Sequence, residues 1–136
     1  MTTFRSLLHR VPILAGATLG LLAGASLEAA AAVRDLDAHG LQRLLKEEPK
    51  QVLLLDVRTP GEYAGGRVPG SVLIPMNQVS GRLSEIPSGK KVVAICASGA
   101  RSAAVAKFLS DRGYPWVANL TGGVSEWSRR GLPIER

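Results

Sequence analysis

After residue 50 the chain carries four apolar segments of strand length. They are QVLLLDV (51–57), SVLIP (71–75), KKVVAIC (90–96) and PWVANL (115–120). The first is a continuous apolar run in which polar and apolar positions do not alternate. Runs of this kind are typical of strands that are buried on both faces, as in a parallel sheet. We therefore predict that the four segments form strands of one parallel sheet.

Two long helical patterns accompany these strands. RDLDAHGLQRLLKEEP (34–49) has Asp35 or Asp37 as an N-terminal cap, leucines on one face and Pro49 at its end. RSAAVAKFLSDRG (101–113) predicts a helix that ends at Gly113. Its expected buried face consists of Ala104, Val105, Phe108 and Leu109.

Shorter helical segments are predicted around Glu62 and Tyr63, irregularly over 76–87, and over 122–131. Strands and helices therefore alternate along the chain, which predicts an α/β fold with a central parallel β-sheet flanked by helices on both faces. In such sheets ligands bind at the carboxyl ends of the strands. Asp56 and Cys96 would both emerge at that edge.

The first 32 residues follow a different pattern. Arg5, His9 and Arg10 precede the uncharged run VPILAGATLGLLAGASL, and Ala30 and Ala32 form an A-x-A site. This is the arrangement of a secretory signal peptide. We expect residues 1–32 to be a signal peptide, residues 33–136 to be one exported domain, and the bacterial periplasm to be its location. An uncleaved anchor in the inner membrane, facing the periplasm, is the main alternative because the apolar run borders on the length of a membrane span; a mitochondrial presequence is the other.

Composition narrows the range of functions. The 136 residues are 46% hydrophobic and 21% charged, which fits one globular domain. The formal net charge of +6 favours anionic small molecules, but the cations are scattered and aromatic residues make up only 4%, so we expect no nucleic-acid partner. A single cysteine excludes an intrachain disulfide. His39 is the only histidine after the leader, too few for a zinc site, and we expect no metal and no cofactor.

The single cysteine lies where a predicted strand passes into a predicted helix. A helix that begins near Arg101 would direct its free N–H groups and positive dipole end towards Cys96, which stabilises a thiolate. Gly99 can take a positive φ that lets successive amides converge on one compact anionic group, and Arg101 adds a permanent positive charge. The small residues of the loop would leave the thiol uncovered. Its expected binding residues are Ala97, Ser98, Gly99, Ala100 and Arg101. The alternative is an inert, buried cysteine.

Three motifs, in order, resemble the rhodanese family of sulfurtransferases. They are LLLDVRTPGEYAGGRVPGSVLIP, CASGARS and LTGGVSEW. Arg67 and Val68 replace the family's usual His and Ile, and Ser71 replaces its usual Ala. We expect these departures to change loop packing or attraction of the donor without removing catalysis.

The resemblance implies that Cys96 attacks the outer sulfur of thiosulfate, releases sulfite and carries a persulfide to cyanide or a thiol. The implied partners are a small anionic sulfur donor, a thiophilic acceptor and, as a further option, a redox or sulfur-relay protein. Asp56 and Arg58 match the family's D-V-R element and would either support the site or touch the substrate. Gly122, Gly123 and Trp127 would be structural.

Two other functions stay open. One is a persulfide carrier or binding module that a partner protein loads. The other is a phosphatase or arsenate reductase of the same fold, whose C-x(5)-R loop would need seven residues where Cys96 to Arg101 supplies six.

Overall fold

The computed structural model describes residues 32–136. The expected signal peptide or anchor, apart from Ala32, lies outside the described residues. The elements in chain order are β1 (Arg34–Leu36), α1 (Ala38–Glu47), β2 (Val52–Asp56), α2 (Pro60–Gly65), β3 (Val72–Leu73), two 3₁₀ segments (Met76–Gly81 and Leu83–Glu85), β4 (Lys91–Ile95), α3 (Ala100–Asp111), β5 (Val117–Leu120) and α4 (Gly123–Arg129). Within this described part, no helix is both long enough and apolar enough to span a bilayer.

The five strands form one sheet in the order β1-β5-β4-β2-β3, and every pairing is parallel. Strand β4 lies at the centre, between β2 and β5. Its register places Ile95 opposite Asp56, so β2 and β4 end at the same edge of the sheet. The predicted parallel α/β sheet is confirmed.

Helices cover both faces of the sheet because successive strand residues point to opposite sides. On one face α3 and the 3₁₀ segments pack against a cluster that includes Leu55, Val92 and Ala94. On the other face α1 and α4 pack against a cluster that includes Leu54 and Val93. Successive residues of β2 and β4 thus belong to different clusters, which explains why these strands are apolar without alternation.

Strand β1 was not predicted from the sequence. Arg34–Leu36 belongs to the segment assigned to the first helix and its cap, but it forms a strand because the edge of β5 supplies backbone partners, with Arg34 opposite Ala118. Of the two expected caps, Asp37 is confirmed. The helix begins only after Asp37, whose carboxylate accepts a hydrogen bond of 2.7 Å from the Gly40 N–H. A three-residue strand is too short to show a periodicity of its own.

The buried face predicted for α3 is right in part. Val105 and Leu109 are buried and Phe108 is half-buried against the core, but Ala104 is exposed. The other buried residues of this helix are Ser102, Ala106 and Ser110. Small residues at positions 102, 106 and 110 share one face of the helix. That face lies against the sheet, where small side chains permit close approach. Alanine adds too little apolar surface for the sequence to reveal which alanines are buried.

Candidate active site

Cys96 follows the last residue of the central strand, and α3 begins four residues later at Ala100. The loop is held against its neighbour strand by a hydrogen bond of 2.9 Å from the Val57 N–H to the Ile95 carbonyl. Asp56 and Cys96 therefore do lie at the same edge of the sheet, as the strand pattern predicted.

Hydrogen-bond donors converge on the Cys96 sulfur. The Gly99 N–H lies 3.1 Å from Sγ and the Ser102 hydroxyl oxygen 3.2 Å from it. Gly99 adopts a φ of 102°, and a Cβ atom there would lie 3.3 Å from the Leu120 carbonyl oxygen. The expected positive φ at Gly99 is confirmed, and it turns the loop so that the amide faces the sulfur.

Cys96 is nevertheless covered: the residue is only 1% exposed. The expectation that small loop residues leave the thiol open is wrong, because Cys96 belongs to a core cluster that includes Leu55, Val57 and Val105. Burial raises the pKa of the Cys96 thiol, but hydrogen bonds from the Ser102 hydroxyl and from the N–H groups of Ser102, Gly99 and Ser98 lower it. Their combined effect outweighs burial, and the pKa lies below its ordinary value.

Two further side chains, neither of them singled out from the sequence, complete this polar cluster. The Ser102 hydroxyl lies 2.5 Å from Asn119 Oδ1, and Asn119 Nδ2 donates to the Gly99 carbonyl at 3.1 Å. Ser102 is fully buried and Asn119 nearly so. The signal available in the sequence was an asparagine within the apolar strand segment VANL, because a buried polar side chain requires a partner.

The N-terminus of α4 holds the loop from its other side. The Val124 N–H donates to the Cys96 carbonyl at 2.9 Å, and the Ser125 N–H donates to the Ala97 carbonyl at 3.0 Å. This contact requires glycine at position 123, where a Cβ atom would lie 2.4 Å from the Cys96 carbonyl oxygen. This close contact explains why the second residue of the Gly-Gly dipeptide is glycine.

Arg101 forms a two-pronged ion pair with Glu62 of α2, with both N–O distances 2.8 Å. The hydrogen bonds from Arg101 lower the pKa of Glu62 to about 2, against partial burial and with help from Thr59. The same pair raises the pKa of Arg101 above its ordinary value. The positive charge expected to attract the donor is therefore already balanced by a carboxylate, and the arginine links α3 to α2.

Asp56 and Arg58 form a buried ion pair beneath the loop. Arg58 Nη2 lies 2.7 Å from Asp56 Oδ2 and also donates to the Gly66 carbonyl at 2.8 Å. Asp56 is fully buried and Arg58 is 5% exposed. Their hydrogen bonds connect the end of β2 to the end of α2, which fits support of the site. Arg58 also lines the cavity beside the loop, so both roles expected for this pair stay predictions.

The profile of the Rhodanese-like domain family matches residues 37–130, well over half of the chain. This chain belongs to the rhodanese family. It is 43% identical over 102 residues to a sulfurtransferase of Allochromatium vinosum, covering 75% of this chain and 94% of that protein. It is 32% identical over 93 residues to the chloroplast thiosulfate sulfurtransferase 16 of Arabidopsis thaliana, covering 60% of this chain and 78% of that protein.

The rhodanese fold is also found in a solved structure from Rhodopseudomonas palustris, described as a protein of unknown function and possible tyrosine phosphatase. It matches with a TM-score of 0.70 and 31% identity, covering 79% of this chain and 89% of that one.

A cavity of about 700 Å³ opens beside the rhodanese loop. Its lining includes Ala97 of the loop, Ser125 and Arg129 of α4, and Arg58 and Glu62. A smaller one of about 380 Å³ lies on the side of Arg101 and Met76. Among residues 32–136, no three His, Cys, Asp or Glu side chains are grouped closely enough to hold a metal ion. His39 is an exposed residue of α1.

Proposed function

We propose that this protein is a sulfurtransferase that moves sulfane sulfur from thiosulfate or a similar donor to cyanide or a thiol, through a persulfide on Cys96. The Cys96 thiolate attacks the outer sulfur of thiosulfate. A new S–S bond forms, the S–S bond of thiosulfate breaks, and sulfite leaves with the electron pair. The acceptor then attacks the outer sulfur of the persulfide, and the Cys96 thiolate is released.

The convergence of hydrogen-bond donors on Cys96 Sγ carries this proposal. Preorganised donors stabilise the negative charge that Sγ bears before the first transfer and again after the second. Because Cys96 is almost covered, the geometry favours a donor whose reacting sulfur is terminal and compact, as in thiosulfate. The activities named for the Allochromatium and Arabidopsis relatives support the same chemistry.

A phosphatase or arsenate reductase fits less well. The loop from Cys96 to Arg101 contains six residues, one fewer than the phosphatase pattern requires. A shorter loop encloses less space, which suits a single sulfur atom better than a tetrahedral oxyanion. We expect no turnover of an aryl phosphate or arsenate.

Intact-protein mass spectrometry tests the first half-reaction. Reduced protein incubated with thiosulfate should gain the mass of one sulfur atom, lose it again with cyanide, and show no gain in a Cys96→Ser variant. The chain has one cysteine, so the added mass can be assigned without peptide mapping. A folded, reduced protein that gains no sulfur would contradict thiosulfate as donor. Loading only from a protein persulfide would instead support the carrier function.

We also propose, from the sequence pattern alone, that the protein is exported to the periplasm and that cleavage follows Ala32. The same spectrum gives the starting mass of protein recovered from the producing cells. A mass equal to residues 33–136 would support cleavage, and the full-length mass in a membrane fraction would support the anchor.

A further inference from the structure

The Ser102 hydroxyl has one proton but faces two acceptors. Its oxygen lies 3.2 Å from Cys96 Sγ and 2.5 Å from Asn119 Oδ1. A serine hydroxyl can donate only one hydrogen bond at a time. Cys96 is 1% exposed and Asn119 5% exposed, so neither acceptor can readily take water in place of that proton.

The orientation of the Asn119 amide is set by its other end. Asn119 Nδ2 donates to the Gly99 carbonyl at 3.1 Å. An amide turned the other way would place Oδ1 against that carbonyl, with two acceptors facing each other. Oδ1 therefore faces Ser102 as an acceptor, and it keeps that orientation as long as the Gly99 loop is formed.

We propose that Ser102 and Asn119 are positioning residues that control ionisation of Cys96, because Asn119 competes with the Cys96 thiolate for the single hydroxyl proton of Ser102. With a thiol at position 96, Ser102 donates to Asn119 and its lone pairs accept the S–H. When the thiol ionises, the hydroxyl turns its proton towards Sγ. Asn119 Oδ1 then loses its donor, and this loss opposes the ionisation.

The inference rests on the proposed function only in that a persulfide forms from the thiolate. In a persulfide Sγ is neutral and the charge lies on the outer sulfur, so Ser102 can return its proton to Asn119. The Ser102 hydroxyl would thus stabilise the thiolate before the sulfur donor binds, and would no longer donate to Sγ once the persulfide has formed. The charged groups on the elements around the loop include Asp56, Arg58, Glu62, Arg101, Glu126 and Arg129, and further along α3 Lys107 and Asp111. The test alters none of them.

The test is the pH dependence of Cys96 alkylation by iodoacetamide, measured without any sulfur donor. The midpoint is the pH at which the alkylation rate reaches half of its maximum. Ser102→Ala removes the proton donated to the thiolate and should raise this midpoint by about one pH unit. Asn119→Ala removes the competitor and should lower the midpoint by about half a unit to one unit. In the double variant, Asn119→Ala should change the Ser102→Ala midpoint by less than about 0.3 units, since no hydroxyl remains to compete for.

Loss of the Asn119 hydrogen bond to Gly99 would shift the midpoint by the same amount in the wild-type protein and in the Ser102→Ala variant. An equal shift in the two backgrounds, or a raised midpoint in Asn119→Ala alone, would therefore overturn the proposal. Ser110→Ala, the same substitution at a buried position further along α3, is the matched control and should leave the midpoint unchanged. If the alanine variant at 119 does not fold, Asn119→Leu repeats the cycle with a side chain of similar size. A failure of sulfur loading alone leaves these midpoints unaffected, so the two proposals fail separately.

Discussion

At the scale of single residues, Asp56 and Arg58 act as one unit. Arg58 donates to both oxygens of the Asp56 carboxylate through Nε and Nη2, and Nη2 also donates to the Gly66 carbonyl at the end of α2. Two charges removed from water gain net stability only when their geometry is complete. Removing one partner should therefore lower the free energy of unfolding by more than the intact ion pair adds to it.

We predict that Arg58→Ala lowers the free energy of unfolding by about 3–5 kcal/mol, because Asp56 would remain charged and buried without a partner. Urea denaturation at pH 7 measures the change. The control is Lys107→Ala, which breaks an exposed ion pair with Asp111 and should cost less than about 1 kcal/mol. A loss below about 1 kcal/mol in Arg58→Ala would show that water or other groups replace the arginine.

At the scale of elements, the site is assembled where the end of β4 meets the N-termini of two helices. Helix α3 contributes the Ser102 hydroxyl to the sulfur, and α4 contributes N–H groups to the carbonyls of Cys96 and Ala97. The hydrogen bonds from α4 hold the backbone of Cys96 in place, and the contact between Ser102 and the sulfur depends on that position. At Gly123, α4 approaches the loop too closely to leave room for a Cβ atom.

We predict that Gly123→Ala destabilises the protein and abolishes sulfur loading, because its Cβ would overlap the Cys96 and Ala97 backbone at 2.4–2.5 Å. The matched control is Gly131→Ala, which has a similar positive φ of 70° but nothing within 4 Å of the added atom. Gly131→Ala measures the loss in free energy of unfolding that comes only from placing alanine in the left-handed conformation, about 1–2 kcal/mol. Gly123→Ala should lose about 1–3 kcal/mol more in urea denaturation. Equal losses would mean that the loop accommodates the methyl group.

At the scale of the whole molecule, the ion pair between Arg101 and Glu62 joins the loop to a separate element and makes stability depend on pH. The pKa of Glu62 falls from 4.5 to about 2 on folding. A lowered carboxyl pKa contributes stability that is complete above the unfolded value and is lost as the pH falls towards the folded value. The relevant window therefore runs from about pH 4.5 down to about pH 2.

We predict that Glu62→Gln lowers the Tm at pH 7 and that its deficit relative to wild type shrinks below about pH 4.5 and disappears near pH 2. Glutamine retains the capping box with Thr59 and removes only the charge. The Arg101 and Glu62 side chains are 38% and 35% exposed, so solvent screening limits the loss in free energy of unfolding to about 1 kcal/mol. Thermal melts across this range test it, with Glu47→Gln on the exposed surface of α1 as control. A deficit independent of pH would exclude the ion pair as its source.

Four of the five strands, the place of Cys96 at a strand end and the positive φ of Gly99 could be predicted, because they follow from local periodicity and from steric limits on single residues. Features that depend on partners distant in the chain could not be predicted. Strand β1 forms because β5 offers it backbone partners, packing against the sheet decides which face of α3 is buried, and the thiol lies in the folded core although its small neighbours were expected to expose it. Likewise, only tertiary structure placed Asn119 beside Ser102 and Glu62 beside Arg101. Hydrogen bonds and ion pairs act over a few ångströms in space, and a single sequence records only distance along the chain.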